Sequence, residues 1–351
     1  MTVTKASERP LRIGVLGCAN IARQFVRDVA HSPQVQVVAA ASRQLATAQA
    51  FAQALGVARS HGSYEALLAD REVDAVYLPL PNSMHAQWAI QAAAAGKHIL
   101  CEKPLALGLQ QAQAMFAAAR QNQVMLLESY PYYFQPQTGA MMDLLRGGVL
   151  GEVRSVHACF GFMLANAKGN IRLSPELGGG ALLDAGSYAL SLIRLAMGCA
   201  PQKVHACASW GESGVDISTT ATLFYADGRR AQLSCAMDAA NHRRATIVGS
   251  AGTLETEYLN HSCTPGSTSP YGYLPSQMRL RRGTANNVAF EEICSPGGSG
   301  FRFAAEAFAR VCQAGDFAAI ERAAQASLDN AATLEALARS AKLECAVQVG
   351  F

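Results

Sequence analysis

The chain has 351 residues, of which half are hydrophobic, and its formal net charge is +3 at pH 7. This length is sufficient for two domains with their own cores, and the small, scattered charge gives no reason to expect a nucleic-acid partner. No apolar run approaches the ~20 residues that a membrane helix requires, so we expect a soluble globular protein without a membrane segment.

The ten cysteines and eight histidines bear on the cellular compartment and on metal binding. The sequence has no C-x-x-C or H-x-x-x-H motif, so it predicts free thiols and no metal site. Several cysteines lie in apolar runs, where a thiol behaves as a small hydrophobic group. The segment Met1–Pro10 lacks the apolar core of a signal peptide. Together these features predict a cytoplasmic protein.

The segment 11–30 has the pattern of a strand, a tight turn and a helix. The apolar run Ile13–Leu16 ends at Gly17, and a helical pattern begins near Asn20. The large apolar residues of this helix recur at helical spacing and are expected to face a core: Ile21, Phe25 and Val29.

The turn between strand and helix has the spacing of a dinucleotide-binding loop. It reads G-x-A-x-x-A, where the usual pattern is G-x-G-x-x-G/A. Gly17 allows the tight turn, Ala19 lets a pyrophosphate approach the backbone, and Ala22 lets the helix pack on the strand. The helix N-terminus offers N–H groups and a partial positive charge to phosphates. An ordinary β-turn-α crossover is the alternative. We predict that six consecutive residues contact a cofactor: Gly17, Cys18, Ala19, Asn20, Ile21 and Ala22.

The end of the second predicted strand, Val35–Ala41, indicates which dinucleotide binds. NAD enzymes usually carry an acidic residue here that binds the ribose 2′-OH, but this chain has Ser42 and Arg43. A hydroxyl and a guanidinium suit a 2′-phosphate. The alternative is an ordinary solvated arginine after a strand. The sequence therefore predicts NADP, with NAD as the alternative cofactor.

Strands and helices continue to alternate up to Glu128, which predicts a doubly wound parallel sheet. Two later strands end in polar or charged residues at the sheet edge where ligands bind in this architecture. Pro81 and Asn82 follow the strand Ala75–Leu80, and Glu102 and Lys103 follow the next. We expect Lys103 to lie where a nicotinamide binds; a solvated loop lysine is the alternative.

The character of the sequence changes after the segment 131–136. Strand-like runs with little helix between them predict a largely antiparallel, open-faced sheet. Residues 259–300 are rich in Ser, Pro, Gly and Asn and predict loops, and two helical segments follow. The predicted fold class is thus α/β plus α+β. A Rossmann domain is predicted over residues 1–130. Residues 131–351 are predicted to form a substrate-binding and oligomerisation domain, whose C-terminal helices pack back on the domains.

Three consecutive glycines, 178–180, interrupt the pattern of the second domain. They precede Asp184 and Tyr188, which are four residues apart and would share one face of a helix. An acid and a phenol among Ala and Leu residues require a partner or a cleft. The alternative is a structural role, in which a buried Tyr188 donates a hydrogen bond to Asp184 or to a backbone carbonyl; the spacing fits both interpretations equally well.

Four motifs together resemble the glucose–fructose oxidoreductase / inositol dehydrogenase (Gfo/Idh/MocA) family over nearly the whole chain. They are the loop 17–22, the turn Pro81-Asn-Ser-Met-His85, the segment Glu102-Lys-Pro104, and Gly178-Gly-Gly-x-x-x-Asp184-x-Gly-x-Tyr188. Many members have histidine where this chain has Tyr188. The tyrosine form, with Asn170-Ile-Arg172 before the glycines, is similar to the branch of glucose–fructose oxidoreductase, dihydrodiol dehydrogenase, NADP-dependent xylose dehydrogenase and 3-ketosugar reductases.

The resemblance implies roles for individual residues. Tyr188 would be the general acid in reduction and the base in oxidation, and Lys103 would polarise the reacting oxygen. Asp184 would bind a sugar hydroxyl or hold Lys103, and Arg172 would contact substrate or be a loop residue. The resemblance also implies cofactor contacts from Pro81, Asn82, His85, Glu102 and Lys103, a cis Lys103–Pro104 bond, and a homodimer or homotetramer formed through the second sheet.

These features predict an NADP-dependent oxidoreductase acting on a sugar, polyol or ketosugar. One alternative is a trans-dihydrodiol or dicarbonyl reductase, for which Tyr132, Tyr133 and Phe134 could supply an aromatic pocket. An alternative of another class is a regulatory protein that senses the nucleotide without turnover. Intact Lys103 and Tyr188 argue against a sensor.

Overall fold

The computed structural model describes residues 9–166 and 168–350, and these residues form two compact units. The first unit contains the residues up to Ala106, together with Gln110–Pro131 and Ser299–Gln325. The second contains Leu107–Leu109, Tyr132–Gly298 and the residues from Ala326 on. Most of the segment on which the signal-peptide prediction rests lies outside the described residues.

The first unit is built on six parallel strands in the order β3-β2-β1-β4-β5-β6. The strands are β1 (Leu11–Leu16), β2 (Val35–Ala41), β3 (Arg59–His61), β4 (Ala75–Leu78), β5 (His98–Glu102) and β6 (Leu126–Ser129). Its helices are Asn20–Val29, Leu45–Leu55, Tyr64–Leu68, His85–Ala94, Leu109–Gln121 and Gly300–Ala314. The long helix Phe317–Leu343 contributes residues to both units.

The core of this unit packs the first helix between the sheet and a helix from late in the chain. Phe25 stacks on Tyr77 with ring centroids 3.9 Å apart and meets the edge of Phe301 at 6.2 Å. All three side chains are almost completely buried. The C-terminal part of the chain therefore completes the core that supports the turn after β1.

Ile21 does not face this core as predicted, because its side chain is 39% exposed. The buried stripe of the helix consists of Ala22, Phe25, Val26 and Val29. At about 100° per residue, Ile21 lies about 90° from the centre of that stripe.

The second unit is built on a nine-stranded sheet in the order β16-β15-β12-β11-β7-β10-β9-β8-β18. A second, three-stranded sheet has the order β14-β13-β17. The strands are β7 (Val153–Met163), β8 (Lys203–Trp210), β9 (Asp216–Phe224), β10 (Arg230–Ala236), β11 (Asp238–Gly249), β12 (Gly252–Glu257), β13 (His261–Cys263), β14 (Leu274–Pro275), β15 (Met278–Arg282), β16 (Glu291–Ile293), β17 (Gly298–Ser299) and β18 (Val347–Gln348). The α-helices within this unit include Pro136–Arg146 and Ser187–Met197.

The large sheet is mixed, since β7 pairs with β10 in parallel and with β11 antiparallel. The predicted combination of a parallel and a largely antiparallel sheet is thus confirmed. None of the helices in the described part of the chain has the length and apolar character required of a membrane span.

The prediction of loops or irregular segments throughout residues 259–300 was wrong for β15 and β16, which extend the large sheet, and for β13, β14 and β17, which form the small sheet. Met278 and Leu280 are fully buried, whereas Arg279 and Arg282 are exposed and Arg281 is half-buried. Arg279 pairs with Glu255 and Arg282 with Glu291 on the neighbouring strands. Cross-strand ion pairs therefore accommodate this basic cluster within a strand.

Candidate active site

The turn after β1 has the backbone that the dinucleotide motif requires. Gly17 has φ +114°, a conformation that strains other residues, and its N–H donates to the carbonyl of Ala41 at 3.0 Å. Ala19 precedes the helix Asn20–Val29 in an extended conformation and provides no side-chain cap, and the first helical turn has no acidic residue. Backbone N–H groups at this helix start suit the pyrophosphate of a dinucleotide.

The end of β2 presents a basic side chain next to this turn. Arg43 is exposed, and its guanidinium makes no ion pair within the described residues. Burial raises the pKa of the nearby Tyr64, and the charge of Arg43 partly opposes that rise. The Tyr64 hydroxyl is 3.9 Å from the position that a Cβ on Gly17 would occupy. Ser42 and Arg43 therefore border the same turn as Gly17.

The loops after β4 and β5 are joined by a buried histidine. Pro81 and Asn82 lead into a short 3₁₀ helix, Asn82–Met84. His85 is fully buried, and its ring nitrogens each lie 2.9 Å from a carbonyl oxygen, one of Leu80 and one of Pro104. Burial lowers the pKa of His85. The imidazole thus positions the loop that carries Lys103.

The segment Glu102-Lys-Pro104 begins at the carboxyl end of β5. Glu102 is 7% exposed; it accepts a hydrogen bond of 2.6 Å from the Tyr77 hydroxyl and one of 3.3 Å from the Lys103 N–H. The Lys103–Pro104 bond is cis, as the resemblance implied. The half-buried side chain of Lys103 therefore extends from a loop whose backbone is held on both sides.

The strand order brings these loops to one edge of the first sheet. Strands β2, β1, β4 and β5 are consecutive neighbours, and the candidate residues follow their carboxyl ends. The order reverses between β1 and β4, where the crevice of a doubly wound sheet binds its ligand. The geometry of the first unit is thus compatible with a dinucleotide at this edge of the sheet.

In the second unit, the three glycines let another loop pack closely on the start of a helix. A Cβ on Gly179 would overlap the carbonyl of Arg172, and Gly180 has φ +114°. The Gly180 N–H donates to that same carbonyl at 2.9 Å. The absence of a side chain at Gly179 therefore lets the Arg172 backbone lie against the start of this helix.

Asp184 lies in a π-helical turn, Leu182–Gly186, directly before the helix Ser187–Met197. The Arg172 Nε donates to an oxygen of Asp184 at 2.5 Å, and the Arg172 guanidinium lies 5.7 Å from the Phe162 ring. π turns inside α-helices occur often at functional sites. The structure thus joins two predicted substrate residues in one ion pair.

Tyr188 is 6% exposed and follows this turn. Asn260 Nδ2 donates to its hydroxyl oxygen at 3.0 Å, and the Arg243 guanidinium lies 4.0 Å from the centre of its ring. Sequence reasoning identified neither partner, because both are distant along the chain and neither belongs to a motif.

The aromatic residues 132–134 are part of the packing of the second unit. Tyr132 is fully buried and its hydroxyl is 2.8 Å from Ser191 Oγ, while the Tyr133 hydroxyl donates to the Ser191 carbonyl at 3.0 Å. Among the described residues, no group of three or more His, Cys, Asp or Glu side chains could hold a metal ion.

Comparison with known proteins gives matches along most of the chain. Residues 11–130 match the model of an oxidoreductase family with an NAD-binding Rossmann fold, and residues 139–255 match the GFO/IDH/MocA C-terminal domain. The chain is 33% identical over 343 residues to D-xylose 1-dehydrogenase (NADP(+)) 2 of Haloferax volcanii, covering 97% of this chain and all of the relative. It is 36% identical over 248 residues to trans-1,2-dihydrobenzene-1,2-diol dehydrogenase of Danio rerio, covering 70% and 74% of the two chains.

A 3-ketoreductase from Actinomadura kijaniata, solved with NADP and TDP-benzene, superposes with a TM-score of 0.83. It is 32% identical, and the match covers 95% of this chain and 98% of that one. That enzyme has also been crystallised with NADP and TDP-benzene as a lysine-to-alanine and as a tyrosine-to-phenylalanine variant. The chain therefore belongs to the GFO/IDH/MocA family of oxidoreductases.

Proposed function

We propose that this protein is an NADP-dependent oxidoreductase that transfers hydride between the nicotinamide and a carbon of a sugar, polyol or ketosugar. The observation that carries the proposal is similarity over almost the whole chain to a xylose dehydrogenase and a 3-ketoreductase, each named with NADP. The turn at Gly17 and the carboxylate-free end of β2 support the choice of cofactor. We also propose a cytoplasmic location and a homodimer or homotetramer.

The bound cofactor supplies or accepts the hydride, so the protein must manage one proton on oxygen. In the proposed mechanism Tyr188 gives its phenolic proton to the carbonyl oxygen during reduction and takes the hydroxyl proton during oxidation. Lys103 polarises that oxygen. Asp184, held by Arg172, accepts a hydrogen bond from a sugar hydroxyl, and Arg172 itself contacts substrate. The variants of the Actinomadura enzyme support these roles. In that enzyme's own numbering, the substituted lysine is one position below Lys103, and the substituted tyrosine is two positions below Tyr188.

A panel of substrates tests the proposed activity. We expect NADPH oxidation with ketosugars, or NADP reduction with aldoses, as measured by nicotinamide absorbance. Turnover confined to trans-diols or dicarbonyls would favour a dihydrodiol dehydrogenase, a second candidate supported by the similarity to the Danio rerio enzyme. Tight NADPH binding without turnover of any compound would instead indicate a regulatory nucleotide sensor and contradict the proposal.

Replacing Arg43 by alanine tests the proposed cofactor. The guanidinium would bind the 2′-phosphate, and a hydrogen bond to a charged group contributes about 1.5–3 kcal/mol. We therefore expect NADP to bind about 10- to 100-fold more weakly and NAD binding to stay the same, as measured by fluorescence titration.

Arg71→Ala provides a matched control for this measurement. Arg71 is an exposed arginine of the same unit, but it precedes β4 and so lies toward the amino-terminal edge of the sheet. We expect the control to bind both nucleotides normally. Unchanged NADP affinity in Arg43→Ala, or tighter binding of NAD than of NADP by the unmodified protein, would contradict the assignment.

A further inference from the structure

Half-buried Arg243 places a positive charge among a cluster of aromatic rings in the second unit. Its guanidinium carbon lies 4.0 to 5.5 Å from the centres of four rings, those of Tyr188, Phe160, Tyr258 and Tyr132. Its Nε has no hydrogen-bond partner among the described residues. Burial lowers the pKa of Arg243, and the neighbouring tyrosines oppose part of that decrease. Attraction between a cation and ring faces compensates part of the loss of hydration.

The hydroxyl groups of the three tyrosines have different partners. Tyr258 donates to the carbonyl of Cys159 at 2.8 Å, and Tyr132 is 2.8 Å from Ser191 Oγ. Tyr188 instead accepts a hydrogen bond from the Asn260 side chain at 3.0 Å. Of the three, Tyr188 also has the ring nearest to the Arg243 charge.

Asn260 connects Arg243 to the Tyr188 oxygen. Its Oδ1 accepts a hydrogen bond of 3.2 Å from Arg243 Nη2, while its Nδ2 donates to Tyr188. The Asn260 backbone carbonyl accepts a further bond of 2.7 Å from Gln135 Nε2, which fixes the residue. The amide is therefore oriented with its N–H toward the phenol oxygen.

A donated N–H and a nearby positive charge both favour the ionised form of a phenol. We propose that Arg243 and Asn260 are positioning residues that orient the phenol of Tyr188 and stabilise the negative charge left on its oxygen when it gives up its proton. This inference rests on the proposed acid–base role of Tyr188. It adds two residues, from β11 and from the loop after β12, that no motif identifies.

The other ionisable groups around the cluster have separate effects. The negative charge of Asp184 favours the charged form of Arg243 and disfavours a phenolate at Tyr188. Asp184 is paired with Arg172, which offsets part of that negative charge. Burial raises the pKa of Tyr258 far above its usual range, so that phenol stays neutral. Tyr132 is fully buried, and Phe160 carries no charge. Arg243 thus places a positive charge directly against the Tyr188 ring, with its guanidinium carbon 4.0 Å from the ring centre.

Direct titration of the phenol tests the inference on the protein without cofactor. The ring carbon bearing the hydroxyl is labelled with ¹³C in all tyrosines, and the Tyr188 resonance is identified by its loss in Tyr188→Phe. We expect the Tyr188 resonance to change at higher pH in Arg243→Met and in Asn260→Leu than in the unmodified protein, because each change removes a group that favours the phenolate. Arg243→Lys keeps the charge and should restore part of the difference.

Arg281→Met is the matched control. Arg281 also lies over an aromatic ring, 4.3 Å from the centre of Phe290, and its Nε is likewise buried without a partner among the described residues. We expect no change in the Tyr188 titration for this variant. An effect as large as that of Arg243→Met would mean that general disturbance of the sheet, rather than the local charge, moves the titration.

The pH dependence of turnover separates this inference from the proposed function. For oxidation, the rising limb of kcat against pH should move upward in Arg243→Met and Asn260→Leu, while NADP affinity is unchanged. If Tyr188→Phe is inactive but the Tyr188 titration is the same in Arg243→Met and Asn260→Leu as in the unmodified protein, the inference is wrong and the proposed function stands. Moved titrations with a fully active Tyr188→Phe variant would uphold the inference and refute the catalytic role. Asn260 is partly exposed, so its variant stays informative if Arg243→Met fails to fold.

Discussion

Tyr188→Phe is expected to reduce kcat about 10²- to 10⁴-fold while NADPH binding stays within a factor of two or three of the original. The variant keeps the ring that packs against Phe160 and Arg243, so the cluster should remain intact. What it loses is the hydroxyl that would exchange a proton with the reacting oxygen. Steady-state kinetics on the best substrate of the panel, together with fluorescence titration of NADPH, measure the two quantities.

Tyr225→Phe is a suitable control for this change. Tyr225 is a buried tyrosine of the same unit, and its hydroxyl has no hydrogen-bond partner among the described residues. Removing it should therefore leave both stability and kcat close to their original values. A Tyr188→Phe enzyme as active as this control would rule out acid–base catalysis by Tyr188.

The parallel sheet was predictable from sequence because each of its signals is local. Continuous apolar runs such as residues 37–41 are typical of strands buried on both faces, and Gly56 ends the next helix in a left-handed conformation. Ser63 caps the following helix by accepting a hydrogen bond from the Ala66 N–H at 3.1 Å. Signals of this kind need only a few neighbouring residues.

The errors arose where a pattern was short or where the partner was remote. In β15 the alternation of Met278 and Leu280 with arginines is a genuine strand signal, but it spans only five residues within a polar region. The π turn at Leu182–Gly186 changes the helical period, and Arg172, which pairs with Asp184 there, precedes it in a separate short helix. Periodicity alone predicts neither feature.

The partners of Tyr188 illustrate the same limit more strongly. Asn260 is 72 residues away along the chain and lies in a segment whose composition predicted only loops. Arg243 belongs to the strand Asp238–Gly249, whose clearest strand-like run, residues 246–248, lies after it. Long-range pairing of this kind depends on the register of the sheet, which no local pattern specifies.

Lys103→Met should lower kcat about 10²- to 10³-fold, the usual effect of removing one group that stabilises a developing charge on oxygen. Methionine has a similar length and no charge, so the loop held by Glu102 and His85 should keep its conformation. Kinetics with the same substrate measure the loss, and Lys168→Met, at an exposed position in a turn, is the control. Normal turnover by Lys103→Met would exclude a catalytic role for the lysine.

The double variant Lys103→Met/Tyr188→Phe then asks whether the two residues serve one chemical step. Residues that act as a unit lose less together than the product of their separate losses, because the first change already removes the shared function. We therefore expect kcat of the double variant to fall little below that of Tyr188→Phe alone. Losses that multiply fully would mean that the ammonium and the phenol act independently, with Lys103 contributing to a step other than proton transfer.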